Sequence, residues 1–147
     1  PEEVACYLAK LKGEAFQAEL APNEICITAD TVVLKNGRIY GKASNKAEAT
    51  EMISSLSGSA HLVITGVCLA TSQSAVVFSD TTQVYFRELT DREISYYIDT
   101  FAPFDKAGAY GIQEWIGMVG IERIEGSYFN VVGLPTEKLF AELKRIV

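Results

Sequence analysis

Two side chains in the stretch Ile25 to Lys42, ICITADTVVLKNGRIYGK, have types that can do chemistry on a bound ligand: the carboxylate of Asp30 and the ammonium of Lys42. Ile25 to Ile27 is an apolar run of strand type, Asp30 falls just past its end, and Val32 to Leu34 is a second run. Asn36-Gly37 is a turn signal because both residues tolerate positive φ, so Arg38 to Tyr40 is expected to return as the partner strand. This predicts that Asp30 and Lys42 reach one neighbourhood at strand ends, where α/β proteins usually keep ligands. The plainer alternative is that Asp30 only caps a turn.

The elements that must position these groups follow from periodicity. Pro1 to Glu19 has apolar residues at spacings of three and four, with acids at its start, and predicts an amphipathic helix opening on Pro1. Lys10 and Lys12 fall on different faces of it, about 200° apart. Asn45-Lys46-Ala47-Glu48 is a capping-box pattern opening a helix that ends at Ser57-Gly58. His61 to Thr71, Ala75 to Phe78 and Thr81 to Phe86 read as strands of an antiparallel meander. His61 is the single histidine and has no carboxylate or Cys beside it in sequence, which makes it a structural or surface residue rather than a catalytic base.

Thr90-Asp91-Arg92-Glu93 is a second capping box, opening a helix that closes between Phe101 and Phe104. Asp105 to Gln113, DKAGAYGIQ, is too rich in small residues for an ordinary helix, and its glycines would let backbone approach a ligand or a packed neighbour. Ile116 to Ile124, with Gly117 and Gly120, predicts a loop and a strand. Gly126 to Leu134 predicts a buried strand or turn, and Thr136 to Ile146 a last helix with Leu139, Phe140 and Leu143 inward. Strands and helices are mixed rather than strictly alternating, as in an α/β or α+β domain.

With 147 residues, 48% of them hydrophobic, the chain can bury a core as a single domain over 1–147. No apolar run approaches the ~20 residues that span a bilayer, and a cytoplasmic location is expected. Cys6, Cys26 and Cys68 are far apart, form no CxxC pair and read as reduced packing residues. A formal net charge of -6 argues against a broad nucleic-acid-binding face but not against a nucleotide held by a few local cations and a metal ion. No membrane partner is expected either.

Taken in order, Ala29-Asp30-Thr31-Val32-Val33, Gly41-Lys42, Leu56-Ser57-Gly58 with His61, Thr65-Gly66-Val67, the Asp105 to Gln113 segment, Gly126-Ser127-Tyr128 and Gly133-Leu134-Pro135 resemble the Maf family of nucleoside triphosphate pyrophosphatases across nearly the whole chain. The resemblance implies a fold like that of inosine triphosphate pyrophosphatases, an elongated mixed sheet flanked by helices around a nucleotide cleft, and often a homodimer. It implies cleavage of a nucleoside triphosphate to the monophosphate and pyrophosphate with a divalent cation, Mg²⁺ or Mn²⁺.

By the same resemblance Asp30 matches the catalytic acidic residue, Thr31 and Gln113 match positions tied to substrate choice, and Lys12 and Lys42 match two family lysines. Asp30 can orient or deprotonate water or hold the metal, and the two lysines can act as point charges on phosphate. Gln113, offering both donor and acceptor, suits the imide edge of thymine or uracil, the pattern of the dTTP and UTP branch. A different reading is a non-catalytic nucleotide-binding regulator of septum formation. The family's N-terminal Ser-x-Ser-Pro-Arg-Arg motif is absent from these residues, so a chain truly beginning at Pro1 is expected to have little activity. Ala43 stands where Pro is usual, and Asn45 where Asp is usual, a change between two good helix caps.

Overall fold

A computed structural model describes residues 1–147. In chain order the elements are α1 (Glu2–Gln17), β1 (Cys26–Lys35), β2 (Arg38–Tyr40), α2 (Lys46–Leu56), β3 (Ala60–Ala70), β4 (Ala75–Phe86), α3 (Asp91–Phe101), α4 (Trp115–Gly120), β5 (Ile121–Glu125), α5 (Tyr128–Val132) and α6 (Thr136–Ile146). The five strands form one sheet in the order β2-β1-β3-β4-β5. Its central strand β3 is buried along nearly its whole length, which is why its sequence, AHLVITGVCLA, is almost continuously apolar. No helix is long and apolar enough to cross a membrane.

The chain divides into two compact units, one of Pro1–Thr31, Ile64–Thr81 and Ser127–Val147, the other of Val32–Val63 and Thr82–Gly126. In the first, α1 presents Ala5 and Ala9 as fully buried residues, and Ala9 packs with Cys68 and Ala70 of β3. Val67 and Leu69 form a second cluster with Leu139 of α6, completed by Leu143 and Ile146. The spacing 139, 143, 146 defines the inward stripe of α6. Phe140 therefore points outward with 65% of its surface exposed, contrary to the expectation that it turns inward, and Lys144 lies over its ring at 5.7 Å.

In the second unit the Asn36-Gly37 turn behaves as expected. Both residues have positive φ, 50° and 77°, and Lys35 pairs with Arg38 in an antiparallel ladder. The Thr90 box is complete, with reciprocal bonds of 3.1 Å between Thr90 and Glu93. At α2 only half of the expected box forms: Asn45 accepts from the Glu48 amide at 2.9 Å, but the Glu48 carboxylate accepts from Ser44 N–H instead. Helices α2 and α3 pack together, with Lys46 reaching Asp99 at 2.7 Å.

Four expected boundaries change. Asp30 does not follow a strand; it lies within the continuous ten-residue β1, because its backbone stays extended while its carboxylate leaves sideways to a lysine. The runs on either side of Ser79-Asp80 are one strand, β4, since Lys138 satisfies the Ser79 carbonyl and the Asp80 carboxylate without a turn. The segment expected as a loop from Ile116 begins as helix α4, whose Gly117 admits the Ile112 carbonyl so closely that a Cβ there would lie 1.7 Å from it. Residues 128–132, within the stretch expected as a buried strand or turn, are helix α5, started by the Ser127 hydroxyl accepting from Asn130 N–H and stopped at Gly133, φ 128°.

His61 is buried, as a structural residue should be, and its Nε2 lies 2.6 Å from the Tyr110 hydroxyl. Phe86 meets both rings edge-on. Burial, reinforced by the Lys35 charge, lowers the His61 pKa to about 4, so the folded protein holds the ring neutral. The unfolded chain binds a proton near 6.5 and the folded one does not until about 4. This contribution is therefore full above pH 6.5 and lost as pH falls through that window. Lowering the pH from about 7.5 to about 5 is expected to remove roughly 2 kcal/mol of stability through this group. Urea unfolding at the two pH values checks it, and His61→Gln should flatten the difference.

Candidate active site

The first unit builds its reactive group on a close contact between α1 and the sheet. Gly66 of β3 has no side chain where one would meet the backbone of Ala5: a Cβ there would lie 2.4 Å from the Ala5 carbonyl. One helical period on from Ala9, Gly13 faces Cys68, whose Sγ would be 2.8 Å from an added Cβ. Thr28 of β1 donates to the Ala9 carbonyl at 2.7 Å. With α1 seated this way, Lys12 Nζ meets Asp30 Oδ2 at 2.9 Å and donates to the Ala29 carbonyl at 3.3 Å. Asp30 is 24% exposed, so its carboxylate is paired with Lys12 and still open to a ligand. Lys10, on the other face, pairs only with Glu14.

One residue on from Asp30, and on the opposite face of β1, the Thr31 hydroxyl lies 2.8 Å from that of Thr65, and Thr65 donates to the Asn130 carbonyl at 3.0 Å. A hydroxyl has a single proton. Thr65 uses its proton on Asn130, so Thr31 is the donor to Thr65 and presents only lone pairs to anything else that approaches. Thr65 carried no assigned role in the sequence; its place beneath Thr31 depends on a pairing between β1 and β3 that local pattern does not reveal.

The second unit holds Lys42 and Gln113. Lys42 pairs by backbone with Ala107, and Gly108 N–H donates to the Gly41 carbonyl at 3.0 Å, which ties the Gly-Lys turn to the small-residue segment. The Lys42 ammonium forms no ion pair and is exposed, free to act as a point charge. The neighbouring Lys106, with a smaller contribution from Lys42, holds the Asp105 carboxyl below its usual range. Gly108 to Ile112 are all buried, and Gln113 emerges exposed at their end. Asp30 and Thr31 thus belong with Lys12 to one unit, while Lys42 and Gln113 belong to the other.

No three His, Cys, Asp or Glu side chains gather as a metal cage. Mg²⁺ does not need one, since it is commonly held by one or two carboxylates together with substrate phosphates and water. Asp30 supplies a donor of that kind. Chemically, the arrangement offers an acceptor oxygen beside an ordered cation in one unit, and an exposed cation and a carboxamide on a rigid turn in the other.

A family model described as Maf-like protein matches residues 1–146. The dTTP/UTP pyrophosphatase of Christiangramia forsetii is 52% identical over 146 residues, which are 99% of this chain and 74% of that protein. The dTTP/UTP pyrophosphatases of Bacteroides fragilis and Phocaeicola vulgatus are each 50% identical over 145 residues, covering 99% of this chain and 75% of theirs.

Because Gly66 sets the distance of α1 from the sheet, Gly66→Ala is expected to push the helix away at a cost of about 1–3 kcal/mol. Gly41→Ala, where an added Cβ meets nothing within 4 Å, should change stability by less than about 0.5 kcal/mol. Urea midpoints of the two variants test the contrast.

Proposed function

The chain belongs to the Maf family, and we propose that it is a nucleoside triphosphate pyrophosphatase that cleaves dTTP and UTP to the monophosphate and pyrophosphate. The observation that carries this reading is identity of 50–52% across almost the whole chain to relatives named for acting on those two nucleotides. In this reaction a water oxygen bonds to the α-phosphorus, the bond to the bridging oxygen breaks, and pyrophosphate leaves with the electron pair. The water's proton passes to a base.

Asp30 is that base in our reading. Lys12 holds Oδ2, which leaves Oδ1 to accept a hydrogen bond from water and then its proton. Lys42 meets negative charge on the phosphates as a point charge. The Thr31 hydroxyl, with its proton committed to Thr65, accepts from a donor on the substrate. Gln113 offers a carbonyl and an amide to the N3–H and the exocyclic oxygen of thymine or uracil. A divalent cation, Mg²⁺ or Mn²⁺, would neutralise phosphate charge when bound, with Asp30 as the protein group able to hold it.

Asp30→Asn is isosteric and still accepts from Lys12, but it cannot take a proton. It is expected to lower pyrophosphate release from dTTP and UTP by at least about a hundredfold in the full-length protein with Mg²⁺. Release at the parent rate would overturn the role of Asp30, and a clear preference for 7-methyl-GTP would overturn the assignment of substrate.

A further inference from the structure

Gln113 stands on a turn whose fixation comes from residues outside the motif that carries it. The Gly111 amide donates to the Tyr97 hydroxyl at 3.0 Å, and the same hydroxyl donates to Glu114 Oε1 at 2.7 Å. Glu114 N–H returns to the Gly111 carbonyl at 3.1 Å, closing a four-residue turn with Gln113 at its third position. Tyr97, on α3, is completely buried, and Glu114 keeps only 20% of its side chain exposed. The Glu114 carboxylate folds back over Gly111 so closely that a Cβ on that glycine would lie 2.8 Å from Oε1. On the other side the Ile112 carbonyl is pressed against Gly117.

A buried phenol placed between an amide and a carboxylate is an expensive arrangement for mere packing, since each polar group must find its partner or lose hydration without return. Phenylalanine would fill the same space but leave the Gly111 amide without this acceptor and Glu114 without this donor. The hydroxyl fixes the two residues that flank Ile112-Gln113, and thereby the point and direction from which the carboxamide departs. We infer that Tyr97 and Glu114 are positioning residues that hold Gln113 for selection of the pyrimidine base, without touching substrate themselves. This rests on the reading of Gln113 as the residue that contacts the base.

The consequence is a division between selection and turnover. A carboxamide displaced by a fraction of an ångström weakens two hydrogen bonds to uracil or thymine together, while the groups that act at phosphorus are unmoved. Tyr97→Phe and Glu114→Ala in the full-length protein are each expected to raise KM for UTP about tenfold, leave kcat within about threefold, and shrink the preference for UTP over CTP by about tenfold. Glu114→Gln retains an oxygen that accepts from Tyr97 and should keep both values near the parent.

Gln113→Ala separates the possible failures. If it leaves the UTP to CTP preference intact, the reading of Gln113 is wrong and the positioning role falls with it. If Gln113→Ala abolishes the preference while Tyr97→Phe and Glu114→Ala lower only the melting temperature, the positioning role alone is overturned. Should Tyr97→Phe not fold, the Glu114→Ala and Glu114→Gln pair decides: loss of preference in the first and retention in the second supports the inference, and equal behaviour overturns it.

Discussion

The contact on which the reactive end of this chain depends is that of the α1 backbone with β3 at Gly66. A half-exposed ion pair is worth roughly 0–1 kcal/mol, so Lys12 and Asp30 cannot be what holds the helix in place. Apolar burial is. Ala5, Ala9 and Gly13, four residues apart, give α1 a stripe without bulk, and Gly66 with Cys68 receives it. Such proximity allows Thr28 to bond the Ala9 carbonyl, and it brings a lysine one residue before Gly13 over the carboxylate of a neighbouring strand. The ion pair is a result of the packing, and its value lies in orientation: it turns Oδ2 of Asp30 towards Lys12.

The second unit adds burial of the preceding residues to a close backbone approach, that of the Ile112 carbonyl to Gly117. A polar side chain on a loop is useful only if the loop has one conformation, and the residues before Gln113 acquire it by going inside. Tyr110 is anchored by His61 and Phe86, and Gly108, at φ 71°, lies against Val33. Neutral His61 is suited to this place, since burial disfavours its charged form and Lys35 adds to that. The same burial raises the Tyr110 hydroxyl far above its ordinary range, so the pair stays uncharged over the whole physiological interval.

What the sequence discloses follows from how local each signal is. The Asn36-Gly37 hairpin and the Thr90 capping box are settled by a few adjacent residues, and both form. Asp30 and Lys42 stand out by residue type at expected strand ends, whereas Lys12 and Gln113 enter only through the ordered set of motifs, because no spacing rule distinguishes Lys12 from Lys10. Tertiary partners were not legible. Phe140 looks like a core residue until the 139, 143, 146 stripe is known to face β3; Asp30 looks like a strand breaker until a lysine from another element meets it. Tyr97 reads as one more apolar position on α3, and nothing in its neighbours announces that its hydroxyl serves a turn fourteen residues later.

Proton direction is a further property that only the fold supplies. Thr31 in isolation can donate or accept. Once Thr65 gives its proton to the Asn130 carbonyl, the remaining contact admits a single polarity, and Thr31 must donate inward. The position at which Thr31 can meet a ligand is thereby an acceptor. Successive residues of a strand face opposite sides of the sheet, so Asp30 is turned to α1 and Thr31 to the side of Asn130 and Gly133. A net charge of -6 does not by itself keep a polyanion away, because the local arrangement of a few charges, rather than their sum, decides which groups each part of a ligand meets.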